Sequence, residues 1–446
     1  MNQLKELSSK ERKYLAAILI TAFIIKIIFA FTIETEIRSD SLVYHTLANN
    51  IITIGEYSFE GKPTAIIASG YPIFLSGIYY VFGTEQVYVK IIQALIELFT
   101  GLIFFYVSRF FFKTEYSLIS LFVFTFLPSN LLYSQTILTE PLFGLLNCII
   151  LYFCLKEKFD KRILFLGMVW GYAILVRSSF ALSVILLPIF LFIYRRQLFE
   201  GFKRKRIKRV LQYSLFFFIG VMLVISPWLI RNKITMNTFT IAAQGGFTFW
   251  SGSNPDATGT WYHKIEETNP MFDIQDEAQR DREFYKLGLE YAVNNPHKFL
   301  ITGIKKIGYL FSSERMIILY FTEGDDKVKT STEVYRAINP FVSFLINVPY
   351  FLIMLLGTWG LLMFRKKAFF LYGFILTWMI TIFMFVALAR YHYVLIPFFV
   401  LGTVKLISER KHIFKELSKI RIAGAIGLNL FLIAVWVFEL YLLITK

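Results

Sequence analysis

The sequence predicts an all-α integral membrane protein with about eleven transmembrane helices, amphipathic helices on its outer face and a long outer loop region. Three observations carry that reading. The 446 residues are 56% hydrophobic, with a mean hydropathy of +0.57. Many apolar runs approach the ~20 residues that a bilayer-spanning helix needs. The 47 lysines and arginines are gathered into alternate connections instead of being spread along the chain.

In chain order the apolar runs lie at 14–33, 87–107, 116–133, 137–155, 163–176, 180–194, 211–230, 341–364, 368–389, 391–407 and 421–444. The first has no small-residue cleavage site behind it ("IIFAFTIETE") and reads as a retained signal anchor. With the N-terminus inside, the cytoplasmic segments hold Lys5 to Lys13, Arg109 and Lys113, Lys156 to Arg162, "RRQLFEGFKRKRIKR" at 195–209, "RKK" at 365–367 and the basic residues of 405–421. Those segments carry 27 of the 47 basic side chains, whereas the short outer loops carry Arg38, Lys62, Arg177 and Arg390. This asymmetry orients the bundle. It also accounts for the net charge of +16 through topology and anionic lipid, so nucleic acid is not an expected partner. Cys148 and Cys154, six residues apart within one run, read as packing residues.

Three regions follow. Residues 1–230 form an N-terminal bundle that includes a first outer loop at 34–86; residues 231–340 form an outer region; residues 341–446 return to the membrane. In the first outer loop, Val43, Leu47, Ile51 and Ile54 recur at helical spacing, which describes an amphipathic helix on the membrane surface. "IFLSGIYYVFG" at 73–83 is apolar but too short to span, so it reads as interfacial or re-entrant. The outer region opens with "QGGFTFWSGSNPDATGTWYH", a turn-rich composition. A helical pattern runs from Gln275 to Val293 and stops at Pro296, and a second amphipathic stretch follows at 298–311. Ionisable residues inside spans are few (Lys26, Lys90, Glu97, Glu439), and no internal repeat is visible. Both facts count against a transporter or flippase of lipid-linked saccharide.

Polar investment at the outer rim points to surface chemistry, and Asp40 opens the question. It stands at the head of the first amphipathic helix, where it serves equally well as a helix N-cap or as a general base beside the bilayer. Glu140 opens the fourth span in "TILTEPLF". There it suits a helix N-terminus, and it also suits a second acid that orients an acceptor or, with Asp40, ligates a divalent metal ion. His45, His263 and His392 have no metal-ligand spacing.

In order along the chain stand "SDSLVYHTLANNI", "SGYPIFLSGIYYVFG", "TILTEPLFGLL", "AILVRSS", "SPWLIRN", "GGFTFWSGSNPDATG" and "ARYHYVLIP". Together they resemble the GT-C superfamily of membrane glycosyltransferases, in the family-39 branch of protein mannosyltransferases and lipid A aminoarabinose transferases. The resemblance implies transfer of a hexosyl or pentosyl unit from a polyprenyl monophosphate donor to a hydroxyl of a lipid, glycan or protein acceptor. The reaction would run on the outer side of a bacterial cytoplasmic membrane. It implies that Asp40 matches the acid of the first outer loop, with a general-base role, and that Glu140 matches an acid at the outer end of its span. Arg390 with Tyr391 resembles the family's Arg-Tyr before a proline-bearing span. Arg390, then Arg177, then Arg231 are the candidates to bind the donor phosphate, since a guanidinium grips phosphate oxygens through two donors. The chain departs from both sub-families. Ser41 follows Asp40 where protein mannosyltransferases pair Asp with Glu, and Gly70-Tyr71-Pro72 stands where aminoarabinose transferases carry Lys-Pro-Pro. Sugar and acceptor therefore stay open, and a polysaccharide polymerase or ligase is the nearer alternative.

Overall fold

A computed structural model of the chain describes residues 6–156, 162–261, 269–321, 336, 338–364, 368–410 and 417–445. The basic segment 365–367, His263, Lys158 and Lys161 lie outside the described residues. The chain is a multi-pass membrane protein built almost wholly of helix. Among the described residues, six helices are long and apolar enough to cross a bilayer: Ser9–Thr32, Gln86–Ser108, Arg206–Met236, Pro340–Met363, Ala389–Ser408 and Lys419–Leu442. Shorter apolar helices include Thr114–Phe126, Arg162–Val176 and Phe369–Met384. The expected apolar runs fall largely on helix, but residues 137–139 and 385–388, within two of those runs, are irregular.

Several of these helices break near one end, and the breaks shape the site. The run expected at 116–133 is not one helix. It stops at Phe126 and restarts as Pro128–Tyr133, because proline lacks the N–H and crowds the preceding turn. Backbone freed at membrane depth needs partners inside the protein. Lys26 donates to the Asn130 carbonyl, the Asn130 amide to Phe124 O at 2.6 Å, and Gln135 to Lys26 O at 3.3 Å. Gln93 then holds the irregular stretch that follows, donating to Ser134 O (3.1 Å) and Thr136 O (2.7 Å). The next helix, Glu140–Lys156, therefore begins with Glu140 buried. The other intramembrane charges are equally engaged. Lys26 lies 3.9 Å from Glu97, which accepts from the Tyr393 hydroxyl at 2.6 Å, and Lys90 donates to Ile33 O at 2.7 Å.

Where helices cross most closely, glycine is required. A Cβ on Gly360 would collide with the Gly402 carbonyl, and Gly167 and Gly220 abut each other's helix backbone in the same way. Small residues give membrane helices this close approach. Gly360→Leu is accordingly expected to abolish monodisperse, detergent-extractable protein, while Gly424→Leu, with open space at its Cβ, is expected to leave the elution profile unchanged.

The outer segments fold onto the bundle. Asp40–Thr53 and Gly70–Phe82 are helices, joined through a hairpin in which Ser58–Phe59 pairs antiparallel with Lys62–Pro63. Gly61, at φ 73°, makes that turn. In the outer region, Glu277–Asn294 and Pro296–Leu310 are helices as expected. Two expectations need correction. "GGFTFWS" is not turn but a helix, Gly245–Ser251, because Asp281 from a distant helix accepts from Gly246 N at 2.6 Å. The helix that carries the seventh apolar run also does not stop at 230. It continues through Arg231 to Met236 and closes on Asn237 in the left-handed conformation. The first outer loop is tied to this region by Glu277, whose carboxylate accepts from Thr64 Oγ1 (2.7 Å) and Ala65 N (3.0 Å). Lys306 is buried inside protein rather than in lipid. It donates to Phe383 O and Met384 O, and burial lowers its ammonium to about 7.

The orientation expected from the charge asymmetry is open to direct test. With both native cysteines buried, single cysteines at exposed Lys62 and Asp256 are expected to react with an impermeant thiol reagent on intact cells. A cysteine at Lys203 is expected to be silent until the cells are lysed.

Candidate active site

The candidate residues come from three places where regular backbone gives way near helix ends. Asp40 is the first residue of its helix, not its cap. Ser39 occupies the cap position at φ 51° and makes no capping bond, while Ser41 Oγ bonds the Arg38 backbone. The Asp40 carboxylate is instead taken by Arg390, whose Nη2 donates to Oδ2 across 350 positions of sequence. Asp40 is therefore not the N-cap residue of this helix. Ser39 is a non-glycine residue held at positive φ beside a candidate catalytic group, where backbone strain tends to collect.

Arg390 sits in a short 3-10 turn, Ala389–Leu395, that feeds the helix Ile396–Ser408. Its side chain is 5% exposed, against 39% for Asp40, so the pair runs from protein interior to open surface. Its Nη1 donates to the Tyr320 hydroxyl at 3.2 Å, and its Nε lies 3.9 Å from Glu140 Oε1. Burial, together with the Asp40 charge, raises the Tyr44 phenol above its ordinary range, and burial raises that of Tyr320. Both phenols therefore face the cluster as neutral groups.

Glu140 is fully buried and accepts from Arg177 Nη2 at 2.7 Å. Arg177 precedes another 3-10 stretch, Ser178–Ile185, and its guanidinium lies over Tyr391 (5.2 Å), Phe143 (5.7 Å) and Trp378 (5.8 Å). The Tyr391 ring also meets Arg390 at 5.7 Å. The result is an alternating chain of charge: Asp40, Arg390, Glu140, Arg177. Arg177 Nη1 and Arg390 Nε are buried donors with no hydrogen-bond partner among the described residues.

Asp40, Glu140, Arg177, Arg390 and Tyr391 are thus brought together, and Arg231 is not. Its Nη1 donates to Thr64 O (2.7 Å) and its Nη2 to Tyr57 O (2.6 Å), with its plane near Trp228 (5.0 Å). Arg231 pins the first outer loop to the seventh span.

Tyr320 and Glu314 had no signal in the sequence. Tyr320 lies in an unremarkable "LYF", and the Glu314–His392 pair (3.1 Å, both buried) braces the far side of the Arg390 turn. Tyr350 stacks on that imidazole at 4.4 Å.

A divalent metal ion does not fit these residues. The Glu140 carboxylate lies fully inside with Arg177 on one oxygen, and Asp40 is bound to Arg390, so an ion between them would face two guanidinium groups. Among the described residues no group of three or more His, Cys, Asp or Glu converges to hold one.

No curated protein matches the chain. Among solved structures, an archaeal oligosaccharyltransferase from Archaeoglobus fulgidus, determined with an inhibitory peptide and a dolichol-phosphate, matches with a TM-score of 0.49 at 13% identity. The match covers 98% of this chain and 56% of that one, so the chain spans little more than half the length of the structure it resembles. Over residues 68–230, the segment that contributes Glu140 and Arg177, the chain matches the family model of the dolichyl-phosphate-mannose-protein mannosyltransferases, in keeping with the GT-C resemblance of its motifs.

Proposed function

We propose that this chain is a GT-C-type glycosyltransferase. It moves a sugar from a polyprenyl monophosphate to an acceptor hydroxyl, with inversion, on the outer face of the cytoplasmic membrane. The observation that carries the reading is the Asp40–Arg390–Glu140–Arg177 chain, one partly open carboxylate backed by two buried guanidinium groups. The family match over 68–230 supports it.

The chemistry assigns each charge a task. The acceptor oxygen attacks the anomeric carbon and gives its proton to the Asp40 carboxylate. The bond from that carbon to the phosphate oxygen breaks, and its electron pair leaves with the polyprenyl phosphate. A positioned base contributes ~10²–10⁴-fold to such a transfer. Arg390 and Arg177 offset the charge growing on the leaving phosphate, and Tyr391, lying against both guanidinium planes, keeps them side by side. Glu140, being fully buried, orients the two arginines instead of touching an acceptor. In the resting state Arg390 holds Asp40. The donor phosphate competes for that guanidinium, so its arrival releases the base.

A transporter reading gains nothing from the intramembrane charges, since Lys26, Lys90 and Glu97 are tied to one another or to backbone. The test is turnover by purified protein in lipid nanodiscs with a panel of polyprenyl-monophosphate hexoses and pentoses. Released polyprenyl phosphate that depends on Asp40 supports the reading; inactivity with every monophosphate donor alongside activity on diphosphate-linked ones would replace it with a polymerase or ligase. Because the arginines, not a metal, neutralise the phosphate, chelation with EDTA is expected to leave turnover unchanged.

A further inference from the structure

The helix Glu277–Asn294 has three faces. Ala278, Phe284 and Gly288 are buried, with Gly288 and Phe284 against the helix Gly245–Ser251. Leu289 and Val293 are exposed apolar residues. Leu287, Glu290, Tyr291 and Asn294 recur at 3-1-3 spacing and form one wall of an open groove of about 270 Å³, closed on the other side by Trp250 and Pro255. The volume falls just below the ~300–1,000 Å³ of small-molecule sites.

The lining describes its ligand. Two aromatic side chains, Trp250 and Tyr291, offer flat apolar surface, while the Glu290 carboxylate and the amides of Asn294 and Asn295 supply acceptors and donors at the rim. Among the described residues no lysine or arginine lines it, so the described lining offers a phosphate or another anion no counter-charge. A neutral pyranose has the matching chemistry, with an apolar C–H face and a belt of hydroxyls that both donate and accept. The groove also shares its frame with the charge cluster. Pro255 lies in the segment that runs from Gly252, packed on Phe385 O, to Gly259, whose carbonyl accepts from Ala387 N at 3.1 Å, three residues before Arg390.

We infer that this groove is a saccharide-binding subsite, which holds a neutral sugar unit of a glycan acceptor while a more distant hydroxyl of that glycan reacts at Asp40. The assignment to an acceptor rests on the glycosyltransferase reading; the saccharide specificity of the groove does not.

The experiment titrates full-length protein in nanodiscs with neutral trisaccharides of glucose, mannose and N-acetylglucosamine, read by saturation-transfer NMR, with a serine-rich tripeptide as comparison. At least one trisaccharide is expected to bind saturably. Trp250→Ala is expected to weaken it ~10-fold or more, as loss of an aromatic anchor does. Asn294→Ala and Glu290→Gln, both at exposed positions, are expected to weaken it by smaller factors, and Asp40→Asn to leave it unchanged. Binding of no trisaccharide, equal binding by Trp250→Ala, Asn294→Ala and Glu290→Gln, or binding of the tripeptide alone overturns the inference. Trp250-dependent saccharide binding by a protein that turns over no donor would sink the transferase reading and leave the groove a saccharide site.

Discussion

Asp40→Asn is expected to lower turnover at saturating donor and acceptor by ~10²-fold or more, while the apparent affinity for donor holds or improves. Two consequences of one substitution separate here. Asparagine keeps the shape of aspartate but cannot accept the acceptor proton, so the chemical step slows. It also no longer holds Arg390 electrostatically, and that guanidinium becomes freer to meet the donor phosphate. A fall in kcat with an unchanged or lower donor KM is therefore the signature of a base that doubles as a resting-state counter-ion. Folding should survive. Asp40 does not cap its helix, its side chain is 39% exposed, and Arg390 keeps Tyr320 and Glu140 beside it. Size-exclusion profiles should match wild type. Unimpaired turnover would remove Asp40 from the chemistry and leave it a surface partner of Arg390.

The spans were legible in the sequence because lipid imposes a simple demand, a run of apolar residues long enough to cross, and basic residues punctuate those runs. The interruptions were less so. Pro128 announces a break only once its neighbours are seen to carry the freed backbone, and those neighbours, Lys26, Gln93 and Asn130, come from other helices. The helix at Gly245–Ser251 depends in the same way on Asp281, thirty-five positions away. Asp40, Glu140, Arg177 and Arg390 stood out as scarce charges at the outer ends of spans, which is a pattern along the chain. Their pairing is not such a pattern. The Arg-Tyr motif ranks Arg390 above Arg231, but nothing along the chain says that Arg390 reaches Asp40 while Arg231 reaches the carbonyls of Thr64 and Tyr57. Tyr320 and Glu314 were invisible because tyrosine and glutamate in an outer segment are ordinary until a buried arginine or histidine is packed against them.

Arg390→Ala is expected to cost ~10²–10³-fold in kcat, by analogy with the loss of one preorganised donor to a developing oxyanion, and to raise donor KM as well. Arg390→Lys should recover only part of either. An ammonium carries the charge, but it lacks the planar fork that reaches Asp40 and the Tyr320 hydroxyl while keeping Nε near Glu140. The alanine variant leaves Glu140, fully buried, with Arg177 as its remaining cation, so some loss of stability is expected too. The lysine variant guards against misreading that loss, because it keeps a cation at the same depth. Arg177→Ala provides the second side of a double-mutant cycle. If both arginines act on one phosphate through Glu140, the double variant should lose less activity than the product of the two single losses, because each single change already disorders the other guanidinium. Independent, multiplicative losses would show two separate roles. Full activity in Arg390→Lys would reduce Arg390 to a point charge and overturn the two-donor grip assigned to it here.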